Sequence, residues 1–278
     1  MAQKGAITMF HKIGFIGTGA MGGAVAKLAA QAAPEAAFYL ANRTPDKAAA
    51  LAEQLPNARV CSNRKAAEIC DLIFLAVKPQ VMPRALADLA PVLGSRTDRF
   101  VLVTMAAGLT METVRSLAGG DWPVIRMMPN TPITVGAGAV QYCATGATEE
   151  ELADFAALLA GAGTVDPLPE QLIDAASALS GCGPAFVDLF LEALADGGVA
   201  CGLPRQKAMA YAAAMVEGAA RMARLSGAHP GTLKDAVCSP AGSTIQGVRT
   251  LEERAFRGAV MDAVIAAWEK NLELKKAD

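Results

Sequence analysis

Histidine is scarce in this chain, with two in 278 residues, His11 and His229. His11 precedes the first predicted strand and His229 precedes Pro230-Gly231, so we expect a solvated side chain and a turn residue. Enzymes often use histidine as a general acid, a general base or a metal ligand. The sequence also lacks a Ser-His-Asp arrangement, a paired-carboxylate motif and a cluster of metal-ligand residues. It therefore predicts chemistry without a catalytic histidine and without a bound metal.

Paired cysteine motifs and an excess of charge are absent as well. The six cysteines have no CxxC spacing, which is typical of reduced thiols in a cytoplasmic protein rather than of disulfides or a zinc site. They are Cys61, Cys70, Cys143, Cys182, Cys201 and Cys238. The formal net charge is -2 and aromatic residues make up 5% of the chain. Without a basic run, the composition does not favour nucleic acid as a partner.

The chain has no hydrophobic run of the length that a membrane span needs, although 53% of its residues are hydrophobic. Residues 127–148 carry no charge, but Pro129, Asn130 and Pro132 interrupt them, whereas a spanning helix needs about 20 mostly apolar residues. Residues 1–12 show no signal peptide. Much of the hydrophobicity comes from alanine, which favours close helix packing and a large subunit interface. We expect neither a membrane span nor a leader.

A glycine-rich turn lies between an apolar strand and a helix of small residues. Gly17, Gly19 and Gly22 follow the strand that ends at Ile16, and the predicted helix covers Ala20–Ala33. In dinucleotide-binding folds these glycines permit the tight turn, the approach of a pyrophosphate and close helix packing. The pyrophosphate then lies at the positive end of the helix. A purely structural turn is the alternative, but the strand before it and the helix after it favour a dinucleotide site.

The first half of the chain alternates strands and helices, which predicts a Rossmann-type, doubly wound parallel sheet. After about Pro169 only helical periodicity is present. The sequence thus predicts an α/β domain over residues 1–168 and an all-α domain over 169–278. The main predicted strands are Lys12–Ile16, Phe38–Ala41, Leu72–Val77, Phe100–Met105, Val124–Met127 and Ala137–Tyr142.

The residues after the second strand indicate which dinucleotide is bound. NAD-binding folds place an acidic residue there for the ribose hydroxyls. This chain has Asn42, Arg43 and Thr44, and an arginine attracts the 2′-phosphate that a carboxylate would repel. The pattern predicts NADP(H), with NAD(H) and an ordinary solvated loop as alternatives. Val77, Lys78 and Pro79 end another strand, so we expect them to flank the nicotinamide.

Residues 239–244 read Ser-Pro-Ala-Gly-Ser-Thr between two predicted helices. Their hydroxyls and free N–H groups would lie together at the start of the second helix, which is a suitable place for a carboxylate. A simple helix cap after a proline-glycine turn is the alternative, and composition alone favours that alternative.

Several segments together resemble the pyrroline-5-carboxylate reductase family, over nearly the whole chain. Those in the second half, in this order and spacing, are the more specific ones. The segments are GFIGTGAMGGA (Gly14–Ala24), FLAVKPQ (Phe74–Gln80), AAG (Ala106–Gly108), RMMPNTP (Arg126–Pro132), SGCGPAF (Ser180–Phe186), LADGGVACGLPR (Leu194–Arg205) and HPGTLKDAVCSPAGSTIQGV (His229–Val248).

The resemblance implies reduction of the cyclic imine 1-pyrroline-5-carboxylate to L-proline with NAD(P)H, in the cytoplasm. It implies a Rossmann domain and an all-α dimerisation domain, an active site at the interface of a homodimer, and in some members a decamer. Ser239, Gly242, Ser243 and Thr244 would bind the substrate, with Thr244 donating to the ring nitrogen. The implied dinucleotide contacts are Ile16, Gly17, Thr18, Gly19, Ala20, Met21, Thr44, Asn63, Ala76, Val77, Lys78, Pro79, Met105, Ala106 and Ala107. Gly22, Asn42 and Arg43 join them on the reasoning from the glycine turn and the second strand given above.

Two details depart from the family pattern, in which the substrate loop often reads SPGGTT. Ala241 and Ser243 replace a glycine and a threonine, and an alanine does not enter positive φ without cost. A β-hydroxyacid dehydrogenase is one alternative, but its second-domain lysine has no counterpart in Gly181–Val187. A non-catalytic dinucleotide-binding dimer is the other alternative, and it would bind the cofactor without turnover.

Overall fold

The computed structural model describes residues 7–276. Contacts between residues divide the chain into two compact units. Unit 1 comprises the residues up to Gly181 together with those from Ala267 onward, and unit 2 comprises Cys182–Ala266.

Unit 1 is an α/β unit built on one eight-stranded sheet. Its strands are β1 (Lys12–Ile16), β2 (Ala37–Ala41), β3 (Ala58–Val60), β4 (Leu72–Leu75), β5 (Val101–Thr104), β6 (Val124–Pro129), β7 (Gly138–Thr145) and β8 (Gly163–Pro167). Its helices are α1 (Ala20–Ala32), α2 (Pro45–Ala52), α3 (Asn63–Ile69), α4 (Met82–Gly94), α5 (Met111–Ala118), α6 (Glu149–Leu158) and α7 (Glu170–Ala176).

The strand order is β3-β2-β1-β4-β5-β6-β7-β8. Its first six strands pair in parallel, and the order reverses between β1 and β4, as in dinucleotide-binding folds. β7 runs antiparallel to β6, and β8 runs parallel to β7. The carboxyl ends of the six parallel strands therefore lie at one edge of the sheet.

Apolar side chains cover both faces of this sheet. β4 and β5 are buried along their whole length, as expected of strands with helices on both sides. Phe15 and Phe74 stack at 4.4 Å between ring centroids in the core cluster that also contains α1 and α6 residues. Ile16 and Ile73 belong to the opposite cluster with residues of α4 and α5. The two clusters hold the strands in place, and the loops that follow them are thereby positioned.

Unit 2 consists of helices. They are α8 (Gly183–Ala200), α9 (Arg205–Ser226), α10 (Pro230–Ala236), α11 (Ser243–Glu253) and the larger part of α12 (Phe256–Lys276). Many of its large apolar side chains are exposed, and Leu189, Leu225 and Met261 each expose more than half of their surface. An apolar face of this extent suits contact with other protein.

One helical stretch, Glu170–Ala200, is long and apolar enough to cross a membrane, with a mean hydropathy of 1.4. Length and composition alone do not show whether this stretch crosses a membrane, because helices that pack against other protein meet the same criteria. The absence of a membrane partner stays a prediction.

The sequence predicts the α/β order and the helical second half, and both are confirmed. Three local expectations are wrong. The strand expected over Leu72–Val77 ends at Leu75. β7 runs antiparallel to its neighbour β6, although a parallel sheet was expected. β8 was not expected, because it is short, is mostly exposed and ends at a proline. The last strand does end at Pro167, close to the predicted boundary at 168/169, although contacts divide the chain after Gly181.

Candidate active site

The predicted dinucleotide residues follow five neighbouring parallel strands in unit 1. Residues 16–22 follow β1, residues 42–44 follow β2, Asn63 begins α3 after β3, residues 76–79 follow β4 and residues 105–107 follow β5. Because the carboxyl ends of parallel strands share an edge, the fold brings these loops to one side of the sheet.

The glycine turn is tightly packed at two of its glycines and open at the third. Gly17 has φ +106, and a Cβ there would approach the carbonyl oxygen of Ala76 to 2.5 Å. A Cβ on Gly22 would approach Cβ of Ala76 to 2.9 Å. A Cβ on Gly19 would meet nothing within 4 Å, so it would occupy the open space in front of the turn. Gly17 and Gly22 thus close the turn on the loop after β4, while Gly19 leaves room for a ligand.

A hydrogen bond joins the loop after β2 to this turn. The backbone N–H of Thr18 donates to Oδ1 of Asn42 (3.2 Å), whose Nδ2 donates to the carbonyl oxygen of Thr44 (3.0 Å). Thr44 occupies the N-cap position of α2 as predicted, but its side chain makes no capping bond. Arg43 is exposed, as a residue that recognises a phosphate from solvent would be.

One buried polar atom at the turn has no hydrogen-bond partner among the described residues. The hydroxyl Oγ1 of Thr18 is buried without a hydrogen bond, in a residue that is 8% exposed. An unpaired buried hydroxyl is costly. With the open space at Gly19 and the free N–H groups at the start of α1, it forms a donor set that fits a phosphate.

A groove of about 880 Å³ opens beside the turn. Thr18, Gly19, Lys27 and Lys47 line it with residues of α1 and α2 and of the turn after β6. Sequence reasoning did not single out Lys47, although its place three residues into α2 put it next to the predicted phosphate loop. A cation there adds to the positive character of the groove.

The remaining dinucleotide loops are less distinctive. Lys78 is exposed and precedes a 3₁₀ turn over Pro79–Val81. The loop after β5 contains Met105, Ala106 and Ala107, and Ala106 is buried with its N–H directed at Oγ1 of Thr104 (3.3 Å). The two alanines leave room at the end of β5, and none of the three side chains in this loop is an acid or a base.

The predicted substrate loop lies in unit 2 and leads into α11. Gly242 is the N-cap of α11, and no side chain caps its first N–H groups. Ser243 and Thr244 are the first two residues of the helix, and both are exposed. The loop does not therefore form a conventional side-chain cap, and the free N–H groups and two hydroxyls at the start of α11 are available to an anion.

A buried ion pair that the sequence did not reveal lies in unit 1. Arg126, on β6, is fully buried, and its Nη2 donates to Oδ1 of Asp174 on α7. Its Nη1 lies 3.6 Å from Oε1 of Glu170, which accepts the N–H of Met111 (2.8 Å). Asn271 of α12 donates to the carbonyl oxygen of Asp174 (3.1 Å). Arg126 occurs in the RMMPNTP segment, but nothing in that pattern identified its partners.

The other reactive side chains do not form a catalytic group. All six cysteines are free. Burial raises the pKa of Cys70 to about 12 and that of Cys143 to about 11, so both are protonated at neutral pH. His229 is an N-cap residue whose Nδ1 accepts the N–H of Gly231, which refines the expected turn role. Among residues 7–276 there is no group of three His, Cys, Asp or Glu side chains that would hold a metal ion.

Two family models match the chain. Residues 170–274 match the model described as pyrroline-5-carboxylate reductase dimerisation. Residues 12–108 match the model described as NADP oxidoreductase coenzyme F420-dependent. The first match covers the helical second half of the chain, and the second covers the strands of the sheet that bear the glycine turn.

Curated relatives match over nearly the full length. Pyrroline-5-carboxylate reductase of Escherichia coli is 39% identical over 272 residues, covering 97% of this chain and 100% of the relative. The enzyme of Pisum sativum is 41% identical and covers 95% and 96%. A crystal structure of Plasmodium falciparum pyrroline carboxylate reductase with NADP bound has a TM-score of 0.83 and 31% identity, covering 98% and 100%. The chain belongs to the pyrroline-5-carboxylate reductase family.

Proposed function

We propose that this protein reduces 1-pyrroline-5-carboxylate to L-proline with NADPH, the last step of proline biosynthesis. The observation that carries the proposal is the similarity to pyrroline-5-carboxylate reductases over nearly the full length of the chain. The sheet unit comes first in the chain and the match to the dimerisation model follows it. Family membership argues against the β-hydroxyacid dehydrogenase alternative.

The cofactor binds at the carboxyl edge of the sheet in unit 1. Free N–H groups of α1 and the Thr18 hydroxyl bind the pyrophosphate, with Gly19 leaving the space for it. Arg43 and its polar neighbours Asn42 and Thr44 recognise the 2′-phosphate, which favours NADP(H) over NAD(H). When bound, NADPH supplies a hydride from C4 of its nicotinamide.

The substrate binds at the loop that starts α11. Its carboxylate accepts from the free N–H groups after Gly242 and from the hydroxyls of Ser239 and Ser243. The hydroxyl of Thr244 orients the ring nitrogen: it donates to the neutral imine and, once the nitrogen is protonated, accepts from its N–H. A protonated imine is already electrophilic at C5 and already carries the proton of the product amine, so orientation by these groups replaces the general acid that a carbonyl reduction needs. Holding two reactants close together in the correct orientation lowers the activation barrier by about 7–11 kcal/mol in favourable cases.

We further propose that the active protein is a homodimer, with assembly into a decamer as an alternative, and that it is cytoplasmic. Exposed apolar side chains on the helices of unit 2 support self-association. The free thiols support a reducing compartment. Neither nucleic acid nor a membrane is a partner in this proposal.

The primary test is oxidation of NADPH by the purified full chain in the presence of 1-pyrroline-5-carboxylate, with proline measured as product. We expect one proline formed for each NADPH consumed. A protein that binds NADPH without consuming it would be the non-catalytic dimer instead.

A substitution at Thr244 tests the assigned role. Thr244→Ala removes the donor to the ring nitrogen, and we expect turnover to fall about tenfold to a thousandfold while the Kd of NADPH changes little. Thr250→Ala is the matched control, because Thr250 lies in the same helix and its hydroxyl bonds only to the carbonyl oxygen of Gln246 (3.0 Å). Equal turnover in wild type and Thr244→Ala would remove Thr244 from the mechanism.

A further inference from the structure

Ala241 has an unusual backbone conformation for an L-residue. Its φ is +55, and the only other non-glycine residues with positive φ among residues 7–276 are Asn57 and Ala255. The left-handed region brings Cβ of an L-residue close to a carbonyl oxygen, which disfavours it about five- to thirtyfold. Glycine has no such penalty.

The hydrogen bond across this segment identifies the turn. The N–H of Gly242 donates to the carbonyl oxygen of Ser239 (3.0 Å), which closes a four-residue turn. Pro240 holds the second position, where its ring sets φ near -65. With positive φ at the third position, Ala241, the turn is type II, the type that selects glycine at that place.

The turn positions the first groups of the substrate loop. Gly242 is both its last residue and the N-cap of α11. A Cβ on Gly242 would clash with Oγ of Ser239, so this hydroxyl lies beside the start of the helix. A type I turn would avoid positive φ at Ala241, but it would rotate the peptide between Pro240 and Ala241 and aim its N–H elsewhere.

We propose that Ala241 is a positioning residue that sets the fraction of molecules whose substrate loop is ready to bind. This rests on the proposed function of the loop. Alanine favours the type I turn and the substrate favours the type II turn, so the free loop is divided between them. A ligand that binds only one of two conformations has an apparent Kd equal to its intrinsic Kd divided by the fraction of molecules in the competent conformation. Ala241 therefore weakens substrate binding without changing the rate of the chemical step.

Ala241→Gly tests the proposal in the full-length enzyme. Glycine adopts the type II turn freely, so we expect KM for 1-pyrroline-5-carboxylate and the Kd of L-proline to fall about three- to tenfold. We expect kcat and the Kd of NADPH to stay within about twofold. The result is a split between KM and kcat that simple stabilisation of the fold would not produce.

Ala255→Gly is the matched control, since Ala255 has φ +56 at the junction of α11 and α12. Relief of the same strain should raise Tm by about 2–4 °C in both variants. Only Ala241→Gly should change KM. If both variants raise Tm and neither changes KM, the strain at Ala241 is purely structural and the proposal is wrong. Failure of the wild type to oxidise NADPH with the imine would instead contradict the proposed function.

Discussion

At Gly19 a side chain would fill the space in which we propose that the pyrophosphate binds. The structure leaves that position open in front of the turn, whereas Ala76 closes the position at Gly17, and the carbonyl oxygen of Gly17 together with Ala76 closes the position at Gly22. Spacing alone predicts these three roles, because each depends on backbone geometry that glycine permits. The conformation of Ala241 was not predictable in this way, since local energetics favour the opposite sign of φ.

Gly19→Ala separates cofactor binding from folding. A methyl group at Gly19 meets no protein atom, so Tm should stay within about 2 °C of wild type, while it obstructs the pyrophosphate and weakens NADPH binding by at least about tenfold. Fluorescence titration with NADPH measures the change.

Gly23→Ala is the matched control, because a Cβ there makes ordinary contact with Cδ2 of Leu51 at 3.8 Å. It should bind NADPH like the wild type. Unchanged NADPH affinity in Gly19→Ala would show that the pyrophosphate does not lie at this turn.

At the scale of elements, α7 is fixed to the sheet by charge as well as by apolar packing. Arg126 reaches from β6 to Asp174, and the carbonyl of Asp174 also accepts from Asn271 near the end of the chain. The sequence predicted β6 and α7 from their patterns. It did not predict their ion pair, because a buried arginine looks like a surface one until its neighbours are known.

Asp174→Ala should destabilise the fold strongly. The change leaves the Arg126 guanidinium fully buried, with Glu170 at 3.6 Å as the remaining acidic group. Breaking a buried pair by removing one partner costs about 3–5 kcal/mol. The free energy of unfolding in urea measures the loss.

Asp196→Ala provides the comparison, because Asp196 is 61% exposed in its pair with Arg205. Exposed pairs contribute about 0–1 kcal/mol. Equal, small losses in the two variants would mean that the buried pair does not hold α7.

At the scale of the whole molecule, the apolar surface of unit 2 is the main feature. The helices of unit 2 expose large apolar side chains, among them Leu189, Tyr211 and Met215. Alanine-rich composition predicted a large interface but not its position, because periodicity shows which residues share a face and not what covers it. The match to a dimerisation model over residues 170–274 supports our proposal that a second copy of the chain covers this face.

Leu189→Arg should shift the protein from dimer to monomer. Leu189 is 68% exposed in the single chain, and a charge buried in an apolar interface carries a large desolvation cost. We expect lower turnover, since the active site is proposed to need both copies, with NADPH affinity retained. Light scattering after size exclusion reports the mass.

Val135→Arg is the control, because Val135 is 77% exposed but lies in unit 1. It should leave the mass unchanged. A Leu189→Arg protein that remains dimeric with full activity would exclude this face from the interface.

We propose that the hydride passes directly from the nicotinamide to C5 of the imine ring, with no intermediate on the protein. The measurement is turnover with NADPH deuterated at the transferred C4 position, followed by mass and NMR analysis of the proline formed. We expect one deuterium per proline, located at C5. Proline formed without deuterium at C5 would contradict it.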